Sequence, residues 1–258
     1  MNKFVVSVGL AASGVVGFDM AATAQTSILG DAKDWNASAS LQGFYDSNYS
    51  TAPSQKGSYG IQVSPTVTAT IPLTQTQIGF LYTYGLQWYQ QRQQDHVNPY
   101  DQQHTVNLWV DHAFDERWDM KVADVFNSGQ EPEIIGDEAL NGRANGNNIS
   151  NLGTVTLNTE WTRLLSTSLI YQNSLYVYQD DTPTPYVPVP YAWSLNRMDN
   201  SAELDLQWTL TPETTFFVGY QFMIENYTGD GLIGSATIDG VHYNYYSDSR
   251  DNINHYGY

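Results

Sequence analysis

Apolar and polar residues alternate strictly between Ile61 and Ile71. Ile61, Val63, Pro65, Val67, Ala69 and Ile71 hold the odd positions, and Gln62, Ser64, Thr66, Thr68 and Thr70 the even ones. Successive side chains of a strand point to opposite faces, so a period of two predicts a strand with one apolar and one polar face. The same pattern sets Ile78, Phe80, Tyr82, Tyr84, Leu86 and Trp88 against Gln77, Gly79, Thr83, Gly85 and Gln87, with Leu81 out of phase. It sets Ala202, Leu204, Leu206, Trp208 and Leu210 against Ser201, Glu203, Asp205, Gln207 and Thr209. It then sets Phe216, Val218, Tyr220, Phe222 and Ile224 against Thr215, Phe217, Gly219, Gln221, Met223 and Glu225. Weaker versions over 36–45, 103–114, 118–127, 149–161, 165–179 and 251–258 bring the expectation to about ten strands.

The connections alternate as well. Short turns at Leu73–Thr76, Asp115–Arg117, Thr162–Leu164 and Thr211–Thr214 recur at intervals of about 45 residues. Between them lie long stretches rich in Asn, Asp, Gly and Pro, over 46–57, 91–102, 128–148, 180–198 and 227–250. Long strands, one apolar face and loops short at one end and long at the other predict an all-β fold. The expected form is an antiparallel up-and-down transmembrane β-barrel, whose closed sheet would pair every backbone group in lipid. Aromatics near the strand ends fit two interfacial girdles. Phe114, Trp118, Trp161 and Trp208 lie beside short turns, and Trp88, Tyr89, Tyr176, Tyr178 and Tyr227 beside long loops. The rival architecture is a soluble sandwich or a lipocalin-like barrel with an apolar interior.

The first residues read as an address. Met1-Asn2-Lys3 precedes an apolar or small stretch from Phe4 to Phe18, and Ala22-Thr23-Ala24 supplies a small-residue cleavage pattern. The expected organisation is a signal peptide over 1–24, a short periplasmic leader over 25–34 and the barrel over 35–258. The last segment, 251–258, is short for a tilted membrane span, so the sequence reads as a C-terminally truncated part of a longer barrel.

Several short motifs carry a resemblance. They are Tyr45-Asp46-Ser47-Asn48, Val63-Ser64-Pro65, Ile71-Pro72-Leu73, Asp111-His112-Ala113-Phe114 and Gln130-Glu131-Pro132-Glu133. Together the chain resembles the Gram-negative outer-membrane proteins grouped as putative β-barrel porins of the second type. The resemblance implies an outer-membrane barrel and a pore, and it carries over no functional residue.

Composition narrows the chemistry. With 27 Asp and Glu against 10 Lys and Arg, the formal charge is -17, so phosphate backbones are poor partners and no nucleic acid is expected. Cys is absent, which excludes disulfides, thiolate metal sites and cysteine nucleophiles. None of His96, His104, His112, His242 and His255 forms a metal-protease motif, and alternation sends Asp111 and His112 to opposite faces. No enzyme, cofactor or metal is expected. The Asp- and Asn-bearing loops read as solvated surface, and the proline-rich 182–190 as an exposed extended loop.

The functional expectation is a porin-like channel in the bacterial cell outer membrane. Its partners would be outer-membrane lipid and small hydrophilic solutes, with oligomeric state open. Strand parity makes Asp111, Lys121, Glu160, Glu203, Asp205 and Glu225 the expected lumen lining. Five acids and one base predict modest cation preference, reinforced at the mouth by Glu131, Glu133, Asp137 and Glu138. The alternatives are a non-conducting structural or adhesion barrel acting through its long loops, or a saccharide-export pore.

Overall fold

A computed structural model describes residues 22–23, 34–49, 56–96, 98–130, 147–179, 183, 189–211 and 213–258. Most of the expected signal peptide and periplasmic leader, the acidic loop 131–138 and six of the nine residues of the proline-rich 182–190 lie outside these residues.

The ten strands that the alternation predicts form one antiparallel sheet, joined at one edge by a two-residue strand, β1 (Ala22–Thr23), inside the expected signal peptide. The ten are β2 (Trp35–Asp46), β3 (Ser58–Pro72), β4 (Thr76–Tyr89), β5 (Tyr100–Ala113), β6 (Trp118–Gly129), β7 (Asn148–Thr162), β8 (Leu165–Tyr178), β9 (Arg197–Thr211), β10 (Thr214–Tyr227) and β13 (Asn252–Gly257). A separate hairpin of β11 (Leu232–Ile238) and β12 (Val241–Tyr246) precedes β13. Two one-turn helices, α1 (Gln90–Gln94) and α2 (Tyr191–Leu195), sit at the long-loop end.

The order β1-β2-β3-β4-β5-β6-β7-β8-β9-β10-β13 is sequential, and its two ends do not pair with each other. The expected transmembrane barrel is therefore corrected to an open sheet. The physical reason lies at the edges. Among the described residues, β2 has no strand on its outer side outside its two pairs with β1, and β13 has none beyond it. A sheet in lipid has no water to satisfy such edges, so closure is the condition on which a membrane-spanning reading rests. Without a closed wall there is no enclosed lumen, and the channel, its cation preference and the barrel-based alternatives fall with it. So do the lipid and solute partners and the outer-membrane placement. Among the described residues, no helix is long and apolar enough to cross a membrane.

Register sorts the side chains cleanly. Leu41 pairs with Val63, Val63 with Leu86, Val110 with Val122, Val122 with Val155, Val155 with Tyr171, Leu169 with Leu204 and Leu204 with Tyr220. Directly opposed residues share a face, so these rows form one apolar surface that runs from β2 to β10. Pro65 sits in the one gap of the β3–β4 ladder, which resumes in the same register from Val63↔Leu86 to Thr66↔Thr83. Proline offers no N–H for that rung.

Among the described residues the sheet has no second layer. Among them the buried apolar side chains are Tyr49, Tyr89, Tyr178, Pro190, Tyr191 and Ala192, all at the long-loop end. There Gln91 N–H donates to Ser58 Oγ at 3.1 Å and Asn196 Oδ1 accepts from Tyr178 N–H at 2.6 Å, tying α1 and the end of α2 to the strands.

Candidate interaction surface

The apolar face is the largest chemical feature of the molecule. Leu41, Val63, Val67, Ile71, Leu108, Leu169, Leu204, Leu206, Trp208, Phe216, Val218 and Tyr220 are all exposed on it. Leu204 retains 53 % of its accessible surface. A sheet normally buries such a face against another layer, and contiguous exposed apolar patches mark interaction sites.

One polar row crosses this face. Asp124 is opposite Leu108 on one side and Gly153 on the other, and the row continues through Asn173 to Asn200. Asn151 donates its amide to both Asp124 carboxylate oxygens at 3.0 Å. Asn200 Oδ1 accepts from Asn173 at 2.9 Å and from the Tyr171 hydroxyl at 2.8 Å. By the strand registers, Asp124 is the one Asp, Glu, Lys or Arg on this face among the described strand residues of the sheet. The sequence reading did not single it out, because Val122-Ala123-Asp124-Val125-Phe126 blurs the alternation.

The six expected lumen residues share the opposite face. Asp111 is opposite Lys121, which is followed across the rows by Thr156, Ile170 and Glu203. Glu160 leads through Ser166 to Gln207, two places from Asp205. Glu225 is opposite Asp199 on one side and Asn252 on the other. The structure brings Asp111 beside Lys121 and leaves Glu160 and Glu225 near opposite ends of the strands. The open sheet gives these residues no lumen to line.

Glu203 and Asp205 instead hold the last strand. The Tyr258 hydroxyl donates to Glu203 Oε1 at 2.9 Å and to Asp205 Oδ1 at 2.6 Å. To reach them its ring crosses Gly219, where a β-carbon would lie 2.2 Å from the Tyr258 Cζ. Donation to Asp205 first, and then to Glu203, pushes the Tyr258 phenol well above the ordinary tyrosine range.

Two ionic clusters pin the long-loop end. Arg92 grips Asp101 through two bonds of 2.5 and 2.9 Å and lies 4.2 Å over the Tyr89 ring. Lys56 and the Tyr49 hydroxyl both donate to Asp95, each at 2.5 Å to Oδ2. Lys56 chiefly, then Tyr49, holds the Asp95 carboxyl down at about 2. Burial, then the bond to Asp95, pushes Tyr49 up to about 12. In the second cluster Arg197 Nε lies 3.0 Å from Asp199 Oδ2. Burial raises the Asp199 carboxyl; Arg197 opposes this and Glu225 adds to it. Burial disfavours the Arg197 charge, and Asp199, Tyr227 and Glu225 together more than restore it.

A cavity of about 200 Å³ opens on the polar face, lined by Gln62, Gln87, Asp101, Gln103, Asn127 and Asn148 among others. Its amides are already engaged in part, since Gln87 donates to Gln62 at 3.1 Å and accepts from the Tyr89 hydroxyl at 2.9 Å. Asp101 is held by Arg92. Among the described residues, no group of three or more His, Asp or Glu converges as a metal site.

Comparison with known protein families, with characterised proteins and with solved structures finds no match to this chain. The resemblance to outer-membrane porins is therefore corrected too: its short motifs extend to no family-wide similarity.

Proposed function

We propose that the chain is a non-enzymatic structural protein that works by self-assembly, two copies covering their apolar sheet faces against one another. The observation that supports this is the single layer: an apolar face spans β2 to β10, and none of the described residues packs on it as a second layer. Two such sheets stack about 10 Å apart in a sandwich. Half-exposed side chains such as Leu204 and Trp208 would each contribute about 1 kcal/mol on being covered. Charge favours a like partner. The carboxylates Asp111, Glu160, Glu203, Asp205 and Glu225 sit on the far face, so two copies meet without opposing their acids. The Asp124 row would fix how the faces align, since a buried polar group tolerates only registers that satisfy it. The leader reading of 1–24 belongs to this proposal, and cleavage after Ala24 would remove β1 and leave β2 as the edge.

Light scattering on the purified chain should give the mass of a dimer. Leu204→Asp should return it to monomer while Gln207→Asp, on the other face, leaves the dimer intact. Circular dichroism checks that both variants keep the sheet. Identical masses for the two folded variants would refute the face assignment.

A further inference from the structure

The polar row on the apolar face is ordered as a self-complementary contact needs. From β6 to β9 it reads Asp124, Gly153, Asn173, Asn200, one residue per strand. Asp124 is an acceptor with capacity left. The Asn151 amide serves both of its oxygens, and a carboxylate offers about four lone-pair sites. Asn200 is the converse. Its Oδ1 already accepts from Asn173 and from Tyr171, while its Nδ2 has no partner among the described residues. Between the two lie a hollow and a knob. A β-carbon on Gly153 would meet nothing closer than Asp124 Oδ2 at 3.7 Å, an ordinary contact distance. Asn173, directly opposite Gly153 in the ladder, carries a side chain.

We propose that the face-to-face dimer, on whose existence this inference rests, is offset, with its two-fold axis running along the strands midway between β7 and β8. Rotation about that axis sets β6 of one copy over β9 of the other, and β7 over β8. Asn200 of each copy then donates to Asp124 of the other, and each Asn173 fills the hollow over the other copy's Gly153. Such a contact is isologous and closes at two copies. Facing sheets of a sandwich lie within about 30° of each other, which displaces side chains little so close to the axis. Neighbouring rows agree. The same rotation sets Val122 against Ala202, Val155 against Tyr171, Met120 against Leu204 and Leu157 against Leu169.

Rival alignments fail on the polar row. An axis along β6 overlaps β2 to β10 most fully, and an axis along the row itself turns each strand onto its own copy. Both press Asp124 against Asp124, and like charges brought together across an interface repel. By the strand registers no Lys or Arg lies on this face among the described strand residues to relieve them. An axis along β7 gives Asp124 to Asn173, whose amide already serves Asn200, and strands Asn200 over Leu108. The offset covers β5 to β10 and leaves β2 and β3 of each copy outside the contact. An uncharged row would free the sheets to slide toward fuller overlap.

The chain has no Cys, so single thiols report the alignment. Chains carrying Met120→Cys and Leu204→Cys are mixed in equal amounts and treated with a bismaleimide about 10 Å long, the separation of stacked sheets. They should link to each other. Like positions lie three strands, about 14 Å, apart sideways, so either chain alone should link several-fold less. Asn200→Asp sets acid against acid and should give a monomer by light scattering at neutral pH. Adding Asp124→Asn exchanges donor and acceptor and should restore the dimer. Gly153→Val meets only ordinary contacts in its own chain, so it should keep its circular dichroism yet lose the mixed cross-link. Met120→Cys chains that link chiefly with themselves overturn the offset, although a dimer mass would still uphold assembly through this face. An Asn200→Asp chain that stays dimeric, or a double exchange that stays monomeric, overturns it too. A parent chain that is monomeric overturns both the offset and the face-to-face assembly.

Discussion

At the scale of single residues, aromatic rings repeatedly cover glycines on the next strand. A β-carbon on Gly79 would lie 1.9 Å from the Trp109 indole, and one on Gly60 would lie 2.2 Å from the Phe44 ring. Gly43 has nothing within 4 Å of such an atom. Gly79→Ala must displace the indole and should cost about 1–3 kcal/mol. Gly43→Ala should stay within about 0.5 kcal/mol of the parent. Urea midpoints compare the two, and equal effects would mean that the ring does not hold its place over Gly79. Asp95 yields a pH prediction. Its carboxyl falls from 3.8 to about 2, a depressed value, so its contribution is present above about pH 4 and is lost as pH falls toward 2. Hydrogen exchange in α1 should accelerate across that window, and Asp95→Asn should remove the dependence. A profile that is flat in the parent chain would show that Asp95 does not tether this end.

At the scale of elements, the prediction concerns β13. It is six residues long and lies at the edge, and it relies on Tyr258 reaching across Gly219 to Glu203 and Asp205. Tyr258→Phe keeps the ring and removes both bonds. Exchange of amides in 252–257 should rise several-fold while β7 and β8 are unchanged. A raised phenol contributes stability below its unfolded value and loses it as pH rises through the folded one. β13 should therefore stay protected until the solution is more alkaline than the ordinary tyrosine range. Early loss of protection near pH 10, the ordinary tyrosine value, would contradict the bonding seen.

The elements also show what the sequence made legible. Alternation located the strands and their facing because period two is a local property. Leu206 and Gln207 could be told apart by parity alone. The hairpin of β11 and β12 lay inside what read as one long loop over 227–250. Its signal was Asp239-Gly240, the pair that forms a tight turn, and both residues have positive φ, 51° and 79°. Whether β2 meets the last strand is different in kind. That contact joins residues some two hundred positions apart, and no local pattern encodes it. Strand length and loop asymmetry describe a barrel wall and an open sheet equally well. For the same reason the sequence could assign Glu203 and Asp205 to a face but could not show that Tyr258 reaches them.

At the scale of the whole molecule, the division between two faces governs the account. One face carries the charged side chains of the sheet apart from Asp124, and the other carries most of the exposed Leu, Val, Ile and aromatic residues, crossed by the polar row of Asp124, Asn173 and Asn200, with Asp124 as its lone charge among the described strand residues. Replacing Asp124 by Leu should strengthen association and weaken its alignment. Cross-links between faces would then spread over several positions instead of one pair, and an unchanged single pattern would deny the polar row its role. Footprinting with a carbene reagent tests the central claim most directly, because it labels apolar side chains wherever solvent reaches them. At concentrations that favour the dimer, Leu204, Leu206, Trp208 and Val218 should be protected and should become labelled on dilution, while Gln207 and Gln221 on the other face stay constant. Apolar-face labelling that does not change with concentration, or protection that appears only when detergent is added, would contradict self-assembly through this face.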